Sequence, residues 1–117
     1  MIKVKRIYEK PSEEDGLRIL VDRLWPRGIK REDARVDLWL KEIAPSDELR
    51  RWFSHRSERW EGFKRKYKEE LKGKKELIER IKELESKHGT VTLLFSARDT
   101  EHNNAVVLME VIEEGSW

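Results

Sequence analysis

Two short apolar runs, set among helical patterns, constrain the fold of this 117-residue chain more than any other feature. Residues 17–21 and 90–95 are rich in Leu, Val and other apolar side chains, which is typical of strands buried within a sheet. Apolar residues recur at helical spacing over three further stretches, residues 57–72, 77–84 and 105–112. Strands that alternate with helices predict a small layered α/β fold, in which helices flank a mostly parallel sheet.

The position of the first strand has two alternatives. Residues 2–7 alternate apolar and basic side chains, as in a strand with one face in water. Residues 8–16 are too few for the helical crossover that joins adjacent parallel strands. The first strand therefore either pairs antiparallel or does not neighbour the second strand. No linker or repeat divides the chain, so residues 1–117 are predicted to form a single domain.

Shorter patterns predict where three helices begin or end. Residues 36–43 carry apolar side chains at the i, i+3, i+4 and i+7 spacing, which predicts a short helix that ends before Pro45. Ser46 is the predicted N-cap of the next helix. The last helix is predicted to begin near Asp99 or Thr100, either of which is a suitable N-cap.

Composition excludes several classes of protein. Lys and Arg number 26 against 24 Asp and Glu, so a chain with 43% charged residues has a net charge of only +2. Without Cys there is no disulfide, thiol nucleophile or thiolate metal site, and the three His lack a metal-ligand spacing. Neither a metal nor a cofactor is expected, since glycine-rich phosphate and dinucleotide motifs are also missing. With no long apolar run and no signal peptide, we expect a cytoplasmic protein without a membrane partner. Its Lys and Glu content is typical of heat-adapted proteomes.

Polar side chains are concentrated in two loops that follow the buried strands, at residues 22–28 and 96–104. Open α/β sheets bind ligands beyond the carboxyl ends of their strands, so the loops meet at one site if these strands are parallel. The candidate ligand-binding residues are Arg23, Trp25, Arg27, Ser96, Arg98, Asn103 and Asn104. The candidate catalytic residues are His102 and, as a second titrating group, His55.

These residue types favour a small anionic ligand. Arginine donates paired hydrogen bonds to phosphate or carboxylate, and Trp25 offers a ring that could stack on a base. His102 is a candidate general acid or base because the ordinary pKa of histidine, about 6.5, suits proton transfer near neutrality. Structural alternatives exist for three of the residues. Arg23 could pair with Asp22, Trp25 could fill the core at a turn, and His55 could simply end a helix.

Four motifs, in order along the chain, resemble a known family. They are VDRLWPRG at residues 21–28, WLKEIAPS at 39–46, LRRWF at 49–53, and TLLFSARD followed by HNNA at 92–105. Over nearly its whole length the chain is similar to the YeaO-like branch of the family catalogued as domain of unknown function 488. The resemblance implies a small α/β protein and supplies no established activity. Other members of the broader family often carry Cys-His-Arg at the position of the His-Asn-Asn trio, so a thiol mechanism would not carry over.

Three functions are compatible with these observations. The first is binding of a small phosphate-bearing ligand, such as a nucleotide, at the strand ends, with or without acid/base catalysis by His102. The alternative is a nucleic-acid-binding module that uses basic helices and exposed aromatic residues. Residues 56–87 carry 12 Lys and Arg against 8 Glu, a mixture more typical of a solvated face. A further alternative is a protein-interaction or homo-oligomeric subunit, in which Trp117 docks either on its own core or on a partner.

Overall fold

The computed structural model describes residues 1–115, in which four strands form one parallel sheet. In chain order the strands are β1 (Ile2–Arg6), β2 (Leu17–Leu20), β3 (Leu38–Trp39) and β4 (Val91–Phe95). Their order across the sheet is β1-β4-β2-β3, and every neighbouring pair is parallel. The prediction of a layered α/β fold with a mostly parallel sheet is confirmed.

Strand β4 separates β1 from β2. Leu93, in the middle of β4, lies opposite Val4 of β1 on one side and opposite Ile19 of β2 on the other. The first strand therefore does not neighbour the second, as one alternative had it, and the antiparallel alternative is wrong. Residues 7–16 lead from the end of β1 back to the start of β2 without a crossover helix. An extended chain of this length is long enough to reach from one strand end to the other. They contain only one short 3₁₀ turn, Glu13–Asp15.

Five α-helices lie between and after the strands within residues 1–115. They are α1 (Arg31–Ala34), α2 (Asp47–Phe53), α3 (Trp60–Lys72), α4 (Lys75–His88) and α5 (Asn104–Glu114). The Oγ atom of Ser46 accepts a hydrogen bond from the Leu49 backbone N–H at 3.1 Å, so the predicted N-cap of α2 is confirmed. Further 3₁₀ turns occupy Lys41–Ile43 and Ser57–Arg59.

Residues 36–43 do not form the predicted helix. They form β3, which pairs with the end of β2, followed by the 3₁₀ turn Lys41–Ile43. The apolar side chains of this segment are buried in two different places, since Val36 packs on one face of the sheet and Leu40 on the other. The helical spacing of these residues therefore reflects two separate burial sites and not one helix face.

Helix α5 begins later than predicted. Asn103, and neither Asp99 nor Thr100, is its N-cap, and the Asn103 Oδ1 accepts a backbone hydrogen bond of 3.1 Å from within the first turn. Asp99 instead accepts a hydrogen bond from the His102 backbone N–H at 3.0 Å. The residues between β4 and α5 are consequently a loop that lies over the edge of the sheet.

Helices and loops cover both faces of the sheet, which explains why its inner strands are apolar throughout. Successive residues of β2 and β4 point to opposite faces. The larger core lies between the sheet and helices α2 to α5 and includes Ile19, Val21, Leu93 and Phe95. The smaller core, on the other face, consists of Ile7, Leu20, Ala34 and Leu94, with Trp25, Ile29, Val36 and Trp39 packed against it.

Two further expectations concern membranes and the chain end. Within residues 1–115, none of the helices has the length and apolar character needed to span a bilayer. The predicted docking of Trp117, on its own core or on a partner, lies outside the described residues.

Candidate functional site

The ends of β1, β2 and β4 open onto one cleft with a volume of about 980 Å³. Both predicted loops line this cleft because β2 and β4 are parallel neighbours, so their carboxyl ends lie at the same edge. The structure brings all nine candidate residues to its wall, namely Arg23, Trp25, Arg27, His55, Ser96, Arg98, His102, Asn103 and Asn104. The volume is suited to a small organic ligand, for which sites commonly measure roughly 300–1,000 Å³.

Asp22, which follows β2, connects the two loops. Its Oδ2 accepts hydrogen bonds from the Ser96 backbone N–H at 2.9 Å and from the Ser96 hydroxyl at 2.7 Å. Its Oδ1 accepts a hydrogen bond from the Asn104 side-chain amide at 3.2 Å. Burial raises the pKa of Asp22, although the hydrogen bonds from Ser96 and Asn104 oppose the rise. Ser96 and Asn104 therefore hold the wall of the cleft through this carboxylate.

The two asparagines of the last loop are also engaged within the protein. The Asn103 side chain caps α5 with its oxygen and donates its amide to the Asp99 carbonyl at 2.9 Å. The Asn104 amide donates to the Val21 carbonyl at 3.0 Å in addition to Asp22. Both residues tie the start of α5 to its surroundings, whatever the cleft binds.

The Arg23 side chain joins two loops through hydrogen bonds. Its Nε donates to the Pro45 carbonyl at 3.3 Å, and one terminal nitrogen donates to the Ala44 carbonyl at 3.1 Å. Within residues 1–115 it forms no ion pair with Asp22, so that alternative is wrong. Its guanidinium still borders the cleft.

Three other arginines gather at one end of the cleft. The side chains of Arg27 and Arg98 are exposed, and neither makes a hydrogen bond or ion pair with another residue in the described range 1–115. Arg6 donates from Nε to the Ala97 carbonyl at 2.9 Å, and its guanidinium lies 4.7 Å from the centre of the Tyr8 ring. The Tyr8 hydroxyl donates to the Arg27 carbonyl at 2.7 Å. We call Arg6, Arg27 and Arg98 the arginine end.

Trp25 fills the turn after β2. Its indole Nε1 donates to the Ile29 carbonyl at 2.9 Å, and its ring meets that of Trp39 edge to face with 5.6 Å between centroids. The Arg31 guanidinium lies 4.8 Å from the ring centre. Trp25 therefore fills the core at a turn, which was the structural alternative for this residue. Stacking of its ring on a ligand remains a prediction.

His102 forms a pair with Asp99 at the rim of the cleft. The His102 Nδ1 lies 2.9 Å from Asp99 Oδ2, and this hydrogen bond is the main cause that lowers the pKa of Asp99. A carboxylate beside Nδ1 favours the tautomer that carries its proton there, which leaves Nε2 as a hydrogen-bond acceptor. The imidazole also meets the Trp60 ring edge to face at 5.0 Å. This arrangement orients the imidazole as a general base would require.

His55 lies on the same side of the cleft, next to a group of aromatic rings. Its imidazole centre is 6.2 Å from that of Phe53, which stacks on Phe63 with 4.5 Å between centroids. Trp60 lies behind both phenylalanines and contacts His102. We call Phe53, His55, Phe63 and His102, all of which line the cleft, the aromatic end.

The backbone that presents His55 is strained. Ser54 (φ 46°) and His55 (φ 56°) both adopt the left-handed conformation that residues other than glycine rarely adopt. Two consecutive residues of this kind persist only where the surrounding structure holds them, and such positions are often found at functional sites.

Replacing Ser54 with Gly is expected to raise the free energy of unfolding by about 1 kcal/mol, because glycine adopts a positive φ without the Cβ clash. Urea denaturation measures the change. The matched control is Ser57→Gly in the exposed 3₁₀ turn, where φ is not positive and a loss of a few tenths of a kcal/mol is expected. A loss of stability in Ser54→Gly would contradict the assignment of strain.

Five polar residues of the cleft were not identified as site residues from the sequence, namely Arg6, Tyr8, Asp22, Arg50 and Asp99. Arg6 is the last residue of β1 and Tyr8 lies just after it, and only the strand order shows that this strand ends beside β4. Asp22 was considered solely as a partner of Arg23. Its position directly after a buried strand, at the edge where ligands bind, was the available signal.

Metal ligands are not grouped in the part of the chain that the structure describes. Residues 1–115 contain no cluster of three or more His, Asp or Glu side chains that could hold an ion. The Asp99–His102 pair supplies only two such groups.

Comparison with known proteins identifies the family. The uncharacterised protein YeaO of Escherichia coli is 43% identical over 109 residues, which cover 93% of this chain and 94% of that protein. The uncharacterised protein Rv3073c of Mycobacterium tuberculosis is 40% identical over 111 residues, covering 95% and 92% respectively. No solved structure gives a significant match. A family model, DUF488-N3i, described as the "Inactive DUF488-N3 subclade", matches residues 1–116, and the chain therefore belongs to this family.

Proposed function

We propose that the cleft binds a small anionic ligand that carries a phosphate group. The observation that carries this proposal is the charge of the wall, where five arginines face two aspartates. Two of these arginines, Arg27 and Arg98, have guanidinium groups without a partner within residues 1–115. Guanidinium groups held at the carboxyl edge of a parallel sheet are suited to bidentate contacts with phosphate oxygens.

The distribution of basic residues favours this cleft over a nucleic-acid surface. On α3 and α4 many basic side chains lie next to acidic ones, in the pairs Lys64–Glu110, Lys68–Glu110, Lys72–Glu69 and Lys82–Glu79. Arg59 and Lys66 lie over the Trp52 ring, which leaves this ring little free surface for a base. These helices therefore present a mixed charge, whereas nucleic-acid binding needs a continuous basic stripe.

Binding without turnover is the form of the proposal that we favour. The Asp99–His102 pair has the geometry of an oriented base, which keeps acid/base catalysis as the second candidate. The matching family model, however, describes its subclade as inactive, and this description supports a binding role.

Inorganic phosphate, sugar phosphates and nucleotides are expected to raise the melting temperature of the wild-type protein, and the double variant Arg27→Gln/Arg98→Gln should lose this shift. A ligand at about 100 times its Kd stabilises the folded state by roughly 2.7 kcal/mol, which corresponds to several degrees. Differential scanning fluorimetry measures the shift.

The matched control is Arg65→Gln/Arg80→Gln, which removes two exposed arginines from α3 and α4 that do not line the cleft. This variant should keep the full shift. An equal loss in both variants, or no wild-type shift with any of these compounds at millimolar concentration, would refute the proposal. Phosphorus NMR of the same mixtures should show unchanged ligand after prolonged incubation. Conversion that disappears in His102→Gln would instead establish catalysis.

A further inference from the structure

Two residues at the start of α5 bring free hydrogen-bond acceptors to the cleft. The Asp99 carboxylate beside Nδ1 of His102 leaves Nε2 as an acceptor. The amide nitrogen of Asn104 donates to a main-chain carbonyl and to Asp22, which leaves its Oδ1 as an acceptor. Neither acceptor has a hydrogen-bond partner in the part of the chain that the structure describes. Solvent reaches both atoms, because residues 1–115 contain no buried side-chain nitrogen or oxygen without a partner.

His55 adds a third unused polar group to the same cleft. Its side chain is exposed and makes no hydrogen bond within residues 1–115. A neutral imidazole carries one donor and one acceptor. A hydroxyl both donates and accepts, so it is suited to His55 as well as to the two acceptors at the start of α5.

The acceptors and the candidate phosphate site belong to one loop. Arg98, whose guanidinium has no partner within residues 1–115, directly precedes Asp99, and the Asp99 carboxylate holds His102 at 2.9 Å. Asn104 follows two residues later. The cleft volume of about 980 Å³ leaves room for a ligand larger than a phosphate ion. A ligand with a phosphate and hydroxyls on one carbon skeleton would therefore use both parts of the loop.

The aromatic rings that line the cleft offer little free face to a nucleobase. Phe53 and Phe63 are only 7% and 3% exposed and stack on each other. Arginine side chains lie over the other two rings, those of Tyr8 and Trp25. A base gains affinity chiefly by stacking on a free ring face. The wall is thus better suited to hydroxyls than to a flat ring.

From these observations we infer that the ligand is a sugar phosphate, with its phosphate at the arginine end and its hydroxyls hydrogen-bonded to His102 Nε2, Asn104 Oδ1 and His55. This ligand class rests on the proposed anion site and adds the groups that select the remainder of the molecule. Phosphate and hydroxyls contribute through different residues, so their contributions are separable by experiment.

The test compares four compounds by isothermal titration calorimetry on the full-length protein at pH 8, above the ordinary pKa of histidine. They are ribose 5-phosphate, tetrahydrofurfuryl phosphate, adenosine monophosphate and ribose. Tetrahydrofurfuryl phosphate keeps the ring and phosphate of ribose 5-phosphate but has none of its hydroxyls. We expect ribose 5-phosphate to bind at least about fivefold more tightly than this analogue, the usual net contribution of one hydrogen bond. The base of adenosine monophosphate should add no affinity.

Variants assign the preference to its residues. His102→Phe removes the Nε2 acceptor but keeps a ring beside Trp60, and it should reduce the preference for ribose 5-phosphate over tetrahydrofurfuryl phosphate. His55→Ala should reduce it too and removes only an exposed side chain. The matched control is His88→Ala at the end of α4, outside the cleft, which should keep the full preference. A cooperative thermal transition verifies that each variant is folded.

Equal affinity for ribose 5-phosphate and tetrahydrofurfuryl phosphate, or tighter binding of adenosine monophosphate than of ribose 5-phosphate, would overturn this ligand class and leave the proposed anion site intact. An undiminished preference in the folded histidine variants would also overturn it. Binding of ribose as tight as that of ribose 5-phosphate would overturn both proposals, and so would the absence of binding by every phosphate compound.

Discussion

Replacing Asp15 with Ala is expected to lower the free energy of unfolding by about 3–5 kcal/mol, the usual cost of removing one partner from a buried ion pair. Asp15 and Arg18 are 4% and 3% exposed, respectively, and the Arg18 terminal nitrogen lies 2.5 Å from Asp15 Oδ2. Lys5 Nζ donates to the same carboxylate at 3.0 Å, and so does the Ser12 backbone N–H. Without the carboxylate, one buried guanidinium and one half-buried ammonium lose their counter-charge.

The same carboxylate gives the stability of the protein a defined pH dependence. Burial alone would raise the pKa of Asp15, but hydrogen bonds from Ser12, Lys5 and Arg18 outweigh it and hold the pKa below its ordinary value. Since the pKa is depressed in the folded state, the contribution of the ionised group is complete above about pH 5 and is lost as the pH falls further.

The difference in unfolding free energy between the wild type and Asp15→Asn measures this contribution. Burial raises the pKa of Asp22, so its protonation below neutral pH acts in the opposite direction, but this effect is common to both proteins and cancels. The difference should be constant above about pH 5 and should shrink below pH 4.

The control for Asp15→Ala is Glu69→Ala, which removes an ion pair with Lys72 whose two side chains are exposed to solvent. Exposed pairs contribute little, so a loss below about 0.5 kcal/mol is expected. Urea denaturation of the two variants provides the comparison. A loss in Asp15→Ala as small as in the control would show that the buried network does not stabilise the fold.

Replacing Gly16 with Ala should destabilise the protein by about 3 kcal/mol, the combined cost of an unfavourable backbone conformation and of overpacking. Gly16 has φ 63° and ψ −136°, a region that residues with a Cβ almost never occupy. A Cβ at this position would lie 2.3 Å from the Thr90 carbonyl oxygen. That oxygen cannot move away freely, because it accepts the Leu17 N–H at 3.0 Å, where β2 begins beside β4.

The matched control is Gly73→Ala, between α3 and α4. Gly73 has an ordinary φ of −84°, and the nearest atom to an added Cβ would be the Glu70 carbonyl oxygen at 3.5 Å. The control should change the unfolding free energy by less than about 1 kcal/mol. An equal loss of unfolding free energy in the two variants, measured by urea denaturation, would contradict the predicted clash at Gly16.

Elements with long or strongly apolar patterns were predictable from the sequence. Strands β2 and β4 are mostly apolar, and the apolar residues of α3 and α4 recur over about three and two turns, respectively. Helix α1 has four residues and β3 has two, so neither is long enough to show a period. At residues 36–43 the apolar spacing predicted a helix, but pairing with β2 and burial on two faces determined the structure.

The candidate site was predictable where it depends on one strand followed by one loop. Both loops were located correctly at the cleft because buried parallel strands end at a common edge. The side-chain partners were not predictable in the same way. Arg23 bonds to carbonyls 21 and 22 residues away, and Ser96 reaches Asp22 across 74 residues. Local sequence carries no information on which of several polar groups will be nearest at such separations.

By itself, the sequence determined that this chain forms an α/β sheet protein with three arginines in the loops after two buried strands, because hydrophobic periodicity and turn chemistry are local properties. Only the tertiary structure decided that β4 lies between β1 and β2, since strand pairing joins residues distant in the chain. That order brings Arg6 to the cleft beside Arg27 and Arg98. The helices packed on the larger core add Phe53 and Phe63 to the residues that line the cleft. The combination of arginine and aromatic side chains around the cleft therefore arises from packing between elements.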